Sequence, residues 1–552
     1  MVWSGLGLLR RHLADLQRIA REPLLLTIVV LIAASLVVLV LFPLLRVVLL
    51  PNIQDWVQSV REPRFLMVTR NTMWMVLVST LTATAIGYIF AFATTRIPRM
   101  PLAVFFRFIG ILPLVSPPFV TGLAFLLLFG RRGLITHALL GLRLDPYGWH
   151  GLWFAQTLAF FPVAYLIIAG VLKRIPPTLE QAARGLGASG FRLFRTVTFP
   201  LTLPGVAGAA LLVANFVLAD FGNPMLIGGR FSVLATEAYM QIMGRYDMTM
   251  AAVLATVLFI PSFLFFLLQR WVISRRSYVT VTGKLSALDR PPVSRPVVYG
   301  LFAICAVMST IVLLVYITIF LGAFTKVWGI DWSLTVANFD YTIFRGQELW
   351  NSVRFASAAA LFVAVLSTLG GYVLYRKKFI GRRFLDFLAL LPAALPGTFV
   401  GIGYVLAFNN PPLLMTGTAV IIILIMAVRN LPFGYRTAMS SIQQIDPSIE
   451  EAAAALGAGS GRTFWHIVLP LLKYTFVSAF MYAFIKSVNT LSAVIFVVSP
   501  GRNVAAASIL GLADHGYWGM ACALAAGLML ITFAALGLFR LVAGKRASLF
   551  EV

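Results

Sequence analysis

The chain has 552 residues, of which 60% are apolar and only 11% charged, with a mean hydropathy of +0.92. Soluble domains run nearer half apolar and a quarter charged, so the balance argues against a water-soluble enzyme, and the length accommodates roughly a dozen spans of about 20 residues. Lys+Arg 44 against Asp+Glu 19 leaves a net charge of +25, which in so apolar a chain reports cytoplasmic loops, with no need for nucleic acid.

Arg10, Arg11, Arg18 and Arg21 precede an uncharged run over 23–45. That run is too long for the core of a cleaved signal and has no small-residue cleavage site, so it predicts a retained first span. Uncharged runs over 71–95, 108–130, 146–172, 196–219 and 248–269 predict five more. The third contains Pro113, Pro117 and Pro118, which predict a break. A basic stretch over 273–295 divides the chain into a first half, 1–272, and a second, 296–552. Further spans are predicted at 296–325 and 355–375, two within 387–428 separated at Asn409-Asn410-Pro411-Pro412, and then 473–500 and 516–539. Pro392 and Pro396 predict a break in the ninth. With the N-terminus inside, the even-numbered loops and termini hold 29 of the 44 Lys/Arg, which places both termini in the cytoplasm. Runs of this length exclude barrel strands. The expected fold is an all-α membrane protein of twelve spans.

The loop after the fourth span reads PTLEQAARGLGASGFRLFRTVTFP (177–200), and that after the tenth reads PSIEEAAAALGAGSGRTFWHIVLP (447–470). Ten of the 24 positions are identical at a constant offset of 270. Asn71-Thr72 answers Asn351-Ser352, and Pro113, Pro117 and Gly122 answer Pro392, Pro396 and Gly401. These echoes indicate duplication of a six-span unit, and because six is even the two halves are parallel repeats. Pro177 and Pro447 suit a helix start, the glutamates after them suit its dipole, and Gly187 and Gly457 suit its end.

The E-A-A, three residues, then G pattern resembles the EAA loop of importer-type ABC transporter permeases. The second copy matches with Glu451, Ala452, Ala453 and Gly457; the first has Gln181 before Ala182, Ala183 and Gly187. The resemblance implies that each loop is a coupling helix docking on a nucleotide-binding subunit. Glu180 and Glu450, beside Gln181 and Glu451, are candidates to supply the docking charge. It also implies the type I importer fold, two ABC ATPase subunits holding ATP and magnesium, and a periplasmic or surface-anchored binding protein. The setting is a bacterial inner membrane with its lipid. The segment 219–242 (ADFGNPMLIGGRFSVLATEAYMQI), with 277–284, resembles iron(III) permeases most closely; thiamine, aminoethylphosphonate, polyamine and sugar-phosphate permeases share the architecture.

No G-x-x-x-x-G-K-[ST] phosphate loop occurs, so this chain is expected neither to hydrolyse ATP nor to bind a cofactor. Cys305 and Cys522 lie in apolar stretches, and the five histidines show no ligand spacing. Outer loops over 51–70, 222–247, 322–350 and 499–515 are expected to receive the binding protein. Their charges include Arg61, Arg64, Arg230, Asp331, Asp340, Arg345 and Glu348. Ionisable groups inside spans are costly and therefore functional candidates. Asp220, ending the fifth span, and Lys486, inside the eleventh, join Asn215, Asn489 and Thr490 as candidate pathway residues. The alternative is that Asp220 and Lys486 neutralise each other. A secondary transporter also fits two parallel halves but does not need two EAA-like loops.

Overall fold

In a computed structural model, the described residues are 23–117, 119–142, 145–274, 293–377 and 379–543. The joint assigned to 273–295, including 277–284, lies almost wholly outside them, as do residues 1–22, Pro118 and 544–552. Lipid offers no hydrogen-bond partners to a backbone, so the apolar runs fold as helices. Ten are long and apolar enough to cross a membrane singly, and two bent pairs raise the number to twelve. In the first half, spans one to six are Leu25–Leu49, Pro63–Arg96, Val120–Leu139, Trp149–Arg174, Gly190–Ala219 and Met248–Val272. In the second half, spans seven to twelve begin with Arg295–Phe324 and Ala337–Arg376. The bent pair Arg382–Ala393 and Gly397–Phe408, Ala419–Gln443, the bent pair Gly461–Leu471 and Lys473–Val488, and Trp518–Leu541 follow. The β structure among the described residues is one antiparallel hairpin, Thr325–Val327 with Asp331–Leu334.

The breaks expected in the third and ninth runs are present: the third is two helices, Ala103–Val115 and Val120–Phe129, and the ninth bends by 115°. Two expectations change. The eleventh helix stops at Val488 and does not reach 500, because a loop with a short turn at Val494–Phe496 follows. The tenth continues past 428 to Gln443, so Arg429 belongs to the span and not to the loop after it. A charge-free run necessarily ends at the first arginine, even one whose guanidinium finds a partner inside the protein.

The halves interlock. The first span lies against the ninth of the other half, where the Tyr404 hydroxyl donates to the Leu39 carbonyl at 2.9 Å and Phe42 meets Phe408 edge-on. The seventh span lies reciprocally on the first half. Tyr316 and Ser116 share a 2.7 Å hydroxyl hydrogen bond, Phe302 packs on Phe106, and Trp328 Nε1 donates to the Leu127 carbonyl.

Within each half the second and fourth (or eighth and tenth) helices approach closely, and a glycine is required. A Cβ on Gly87 would sit 2.7 Å from Ala164 Cβ, 2.8 Å from Tyr165 N and 2.9 Å from the Phe161 carbonyl. In the second half the glycine has changed helices: Gly434 faces Ser367, at the positions equivalent to Ala164 and Gly87. Gly87→Ala should therefore destabilise the protein by about 1–3 kcal/mol, read as a lower thermal midpoint in detergent. Gly300→Ala, where a Cβ meets nothing within 4 Å, should leave the midpoint unchanged.

Candidate functional site

The repeated loops fold as anticipated. Helices Pro177–Gly185 and Pro447–Ala455 begin at proline and end in the same six-to-one turn. Ala188 N donates to the Ala183 carbonyl at 3.0 Å and Gly187 N to Arg184 at 2.8 Å; Ala458 and Gly457 repeat this on Ala453 and Ala454 at 3.0 and 2.9 Å. Gly187 and Gly457 lie at φ +86° and +82°, the left-handed region where a side chain is strained. Asp446 caps the second helix by accepting from Ser448 N at 2.9 Å, which holds its carboxyl below the usual range; Pro176 replaces it in the first copy.

Each helix has an inner and an outer side. On the outer side Leu186 and Leu456 are 90% and 89% exposed, with Leu179 and Ile449 exposed alongside. Glu451 and Ala452 are exposed, as are Ala182, Gly187 and Gly457; Gln181 and Ala183 are half-buried, and Ala453 is buried.

Glu180 and Glu450 face inward, toward the spans. Glu180 is buried, 3.4 Å from Arg96 Nη1 at the end of the second span, and its other oxygen accepts from the Thr198 hydroxyl at 3.0 Å. Glu450 stands 3.1 Å from Arg376 at the end of the eighth span and accepts from the Tyr372 hydroxyl at 3.1 Å. Arg376 also donates to the carbonyls of Ile442 and Ile445, the last turns before the loop helix. In each half an ion pair, buried in the first and half-buried in the second, thus fastens the loop helix to a span. Arg96 and Arg376 escaped the sequence reading because they were counted as loop charges, although they recur in register with the Asn71/Asn351 echo.

That echo has a structural meaning too. Asn71 Nδ2 donates to the Ser232 carbonyl and the Thr72 hydroxyl accepts from Leu234 N at 2.8 Å. Asn351 donates to the carbonyls of Gly501 and Asn503, and the Ser352 hydroxyl accepts from Ala505 N at 2.8 Å. Each pair holds the start of a short helix, Leu234–Arg245 or Ala505–Asp514, on the side opposite the loop helices. Charges there are largely paired internally. Arg64 makes two 2.7 Å hydrogen bonds to buried Glu237, Arg345 pairs with Asp340, and Asp331 is held down to about 2 by Ser333 and Lys326.

The five candidate pathway residues do not form one cluster. Asp220 and Lys486 are not paired among the described residues. Asp220 accepts from Gln156 Nε2 and Asn223 Nδ2, both at 3.0 Å. Gln156 accepts in turn from Ser79, and Asn223 Oδ1 accepts from Gly122 N at 3.1 Å. This buried chain fixes the break after the fifth span against the third. At the equivalent positions the second half has Ala359, Met426, Thr490 and Ala493, so the network belongs to one half alone. Asn215 reaches the other half, donating to the Ala393 carbonyl at 3.4 Å and bonding Ser262, whose hydroxyl donates to the Ala394 carbonyl at 2.7 Å. Asn489 donates to the Ile485 carbonyl and Thr490 to the Lys486 carbonyl, closing the eleventh helix. Gln156, Asn223 and Ser262 were not among the sequence candidates; only their partners in the fold single them out. No group of three or more His, Cys, Asp or Glu among the described residues could hold a metal ion.

Residues 83–278 and 356–547 match the family described as "Binding-protein-dependent transport system inner membrane component", once in each half. The chain belongs to this family. The permease is 38% identical over 478 residues to the ferric transport system permease protein FbpB of Actinobacillus pleuropneumoniae, covering 84% of this chain and 69% of that one. It is 38% identical over 438 residues to the putative ferric transport system permease protein FbpB 1 of Haemophilus influenzae, covering 77% and 69%. Similarity extends at 24% over 448 residues to the thiamine transport system permease protein ThiP of Escherichia coli, covering 79% and 81%. The matches identify the repeat as two permease units of one transport subunit, set in a membrane by its apolar helices.

The inward and outward sides of the loop helix make separable predictions. Glu180→Ala leaves Arg96 buried without its carboxylate and should cost the isolated permease about 3–5 kcal/mol, seen as a lower thermal midpoint. Leu186→Ser combined with Leu456→Ser should not move that midpoint; equal losses would refute the division.

Proposed function

We propose that this chain is the permease of an ATP-driven ABC importer that carries iron(III) into the cytoplasm. Two copies of an ABC ATPase dock on the helices at 177–185 and 447–455, and a periplasmic or surface-anchored binding protein docks on the opposite face. The observation that carries the reading is the repeated pair of loop helices, each with a nearly fully exposed leucine outside and an inward Arg–Glu pair. An exposed leucine at the tip of a short helix suits an apolar groove in a partner. The inward pair turns a push on that helix into movement of a span. Two equivalent docking helices call for two motor subunits, and the motor's ATP and magnesium lie in those subunits.

The excess of basic residues around these loops supports placing them, and both termini, in the cytoplasm. ATP binding would draw the two motors together, carry Arg96 and Arg376 with the loop helices, and favour one of two pathway states. Such coupling requires ATP to prefer that state. Iron(III) as the cargo is supported by the names of the two FbpB relatives at 38% identity; thiamine, aminoethylphosphonate, polyamine and sugar phosphate are the other members of the same class.

Proteoliposomes containing the permease, its ATPase and its binding protein should accumulate radioactive iron only when Mg-ATP and the binding protein are both present. The Leu186→Ser and Leu456→Ser double variant should lose most of that uptake through weakened ATPase capture. Uptake that persists without the ATPase would overturn the importer reading, and ATP-dependent uptake of thiamine with none of iron would overturn the cargo.

A further inference from the structure

The second half carries one cation inside its tenth span and another in the last turn of its eleventh, and neither has an acidic partner among the described residues. Arg429 lies in the tenth helix, Ala419–Gln443, and Lys486 in the eleventh, Lys473–Val488. Two contacts fix the register of these antiparallel helices. Asn430 Nδ2 donates to the Ser487 hydroxyl at 3.0 Å, and Phe433 stacks on Tyr482 at 3.4 Å. Arg429 and Lys486 immediately precede Asn430 and Ser487, so they share one depth. At 1.5 Å per residue each stands about 20 Å from the loop-helix end of its helix, inside a hydrocarbon core about 30 Å thick. From that depth a snorkelling side chain does not reach the loop-helix face.

The site also lies at the junction of the halves. Arg429 Nη1 donates to the Leu395 carbonyl at 2.6 Å. The two preceding carbonyls, Ala393 and Ala394, accept from Asn215 and Ser262 of the other half. Three consecutive carbonyls at the break of the ninth span are thus read from both sides, with the guanidinium beside them. The equivalents of Arg429 and Lys486 in the first half are Ala159 and Phe216, and Phe216 stacks on Phe160. One side of the junction is cationic and the other aromatic.

An ionisable group held inside a membrane without an acidic partner is a functional-site candidate by default. We propose that Arg429 and Lys486 form an anion site at the junction of the two halves, so that the cargo crosses as an oxyanion. Guanidinium and ammonium groups suit carboxylate and phosphate oxygens, and they repel a bare trivalent metal. Resting on the importer reading above, this narrows the cargo to iron(III) wrapped in an anionic oxygen chelate or to a phosphate ester. The shared chemistry is an oxygen-bearing polyanion.

The test uses the reconstituted complex of permease, ATPase and binding protein, with iron(III) citrate and glucose 6-phosphate as labelled cargoes. Lys486→Gln should lower uptake of the transported compound at least ten-fold, Lys486→Arg should restore it to within about three-fold, and Lys486→Glu should abolish it. In the purified wild-type permease, that compound at millimolar concentration should raise the thermal midpoint above the value in chloride of equal ionic strength, and Lys486→Gln should lose that rise. This second reading covers a variant that assembles poorly. Uptake of glucose 6-phosphate without iron would leave the anion site standing and remove iron(III) as cargo. Undiminished uptake in Lys486→Gln, an increase in Lys486→Glu, or no anion-specific midpoint rise in the wild type would overturn the site.

Discussion

A bilayer core supplies no water to an interrupted helix, so every break inside it must find its hydrogen bonds in the protein. This constraint orders most of the polar chemistry of the permease. The ninth helix breaks near Ala393–Leu395, and Asn215, Ser262 and Arg429 converge on its freed carbonyls. The third breaks after Val115; Ser116 is met by Tyr316, and Asn223 accepts from Gly122 N in the following segment. Pro43 has no N–H to offer the Leu39 carbonyl one helical turn before it, and Tyr404 takes that carbonyl up. In several cases the donor comes from the opposite half, so satisfying a break and joining the halves are one act.

Duplication has preserved positions more faithfully than residues. The inward glutamate and its arginine occur twice, but the second donor to the carboxylate is Thr198 in one half and Tyr372, from a different helix, in the other. The close approach of two spans is kept while its glycine moves from one helix to the partner. By contrast the Asp220 chain and the Arg429–Lys486 pair each occur once, on opposite sides of the pseudo-twofold axis. What is shared between halves holds the loop helices and the short opposite helices in place; of what differs, Arg429 lies beside the carbonyls where the two halves meet.

The sequence was most informative where physics is local. Twelve spans, the division into halves, and the helix-and-turn form of both loops follow from hydrophobic runs, prolines at helix starts and glycines at their ends. The echo of Asn71-Thr72 in Asn351-Ser352 proved to be a pair of equivalent clamps. Failures arose where the decisive partner lay far along the chain. Glu180 and Glu451 look alike in a string of letters, yet one is buried on an arginine 84 residues away and the other is exposed. Arg429 was taken for a loop residue because nothing beside it reveals the Leu395 carbonyl it meets. Asp220 and Lys486 had opposite charges and similar positions, but the donors around Asp220 are amides from the same half.

The interlocking of the halves also bears on how the protein is made. The first span meets Tyr404 only after 365 further residues have been synthesised, which at about 5–20 residues per second takes roughly 20–70 s. Throughout that interval the Leu39 carbonyl, one turn before Pro43, is without the hydroxyl that takes it up. The folding of this permease is therefore finished by its second half, which closes around a helix that has been waiting in lipid.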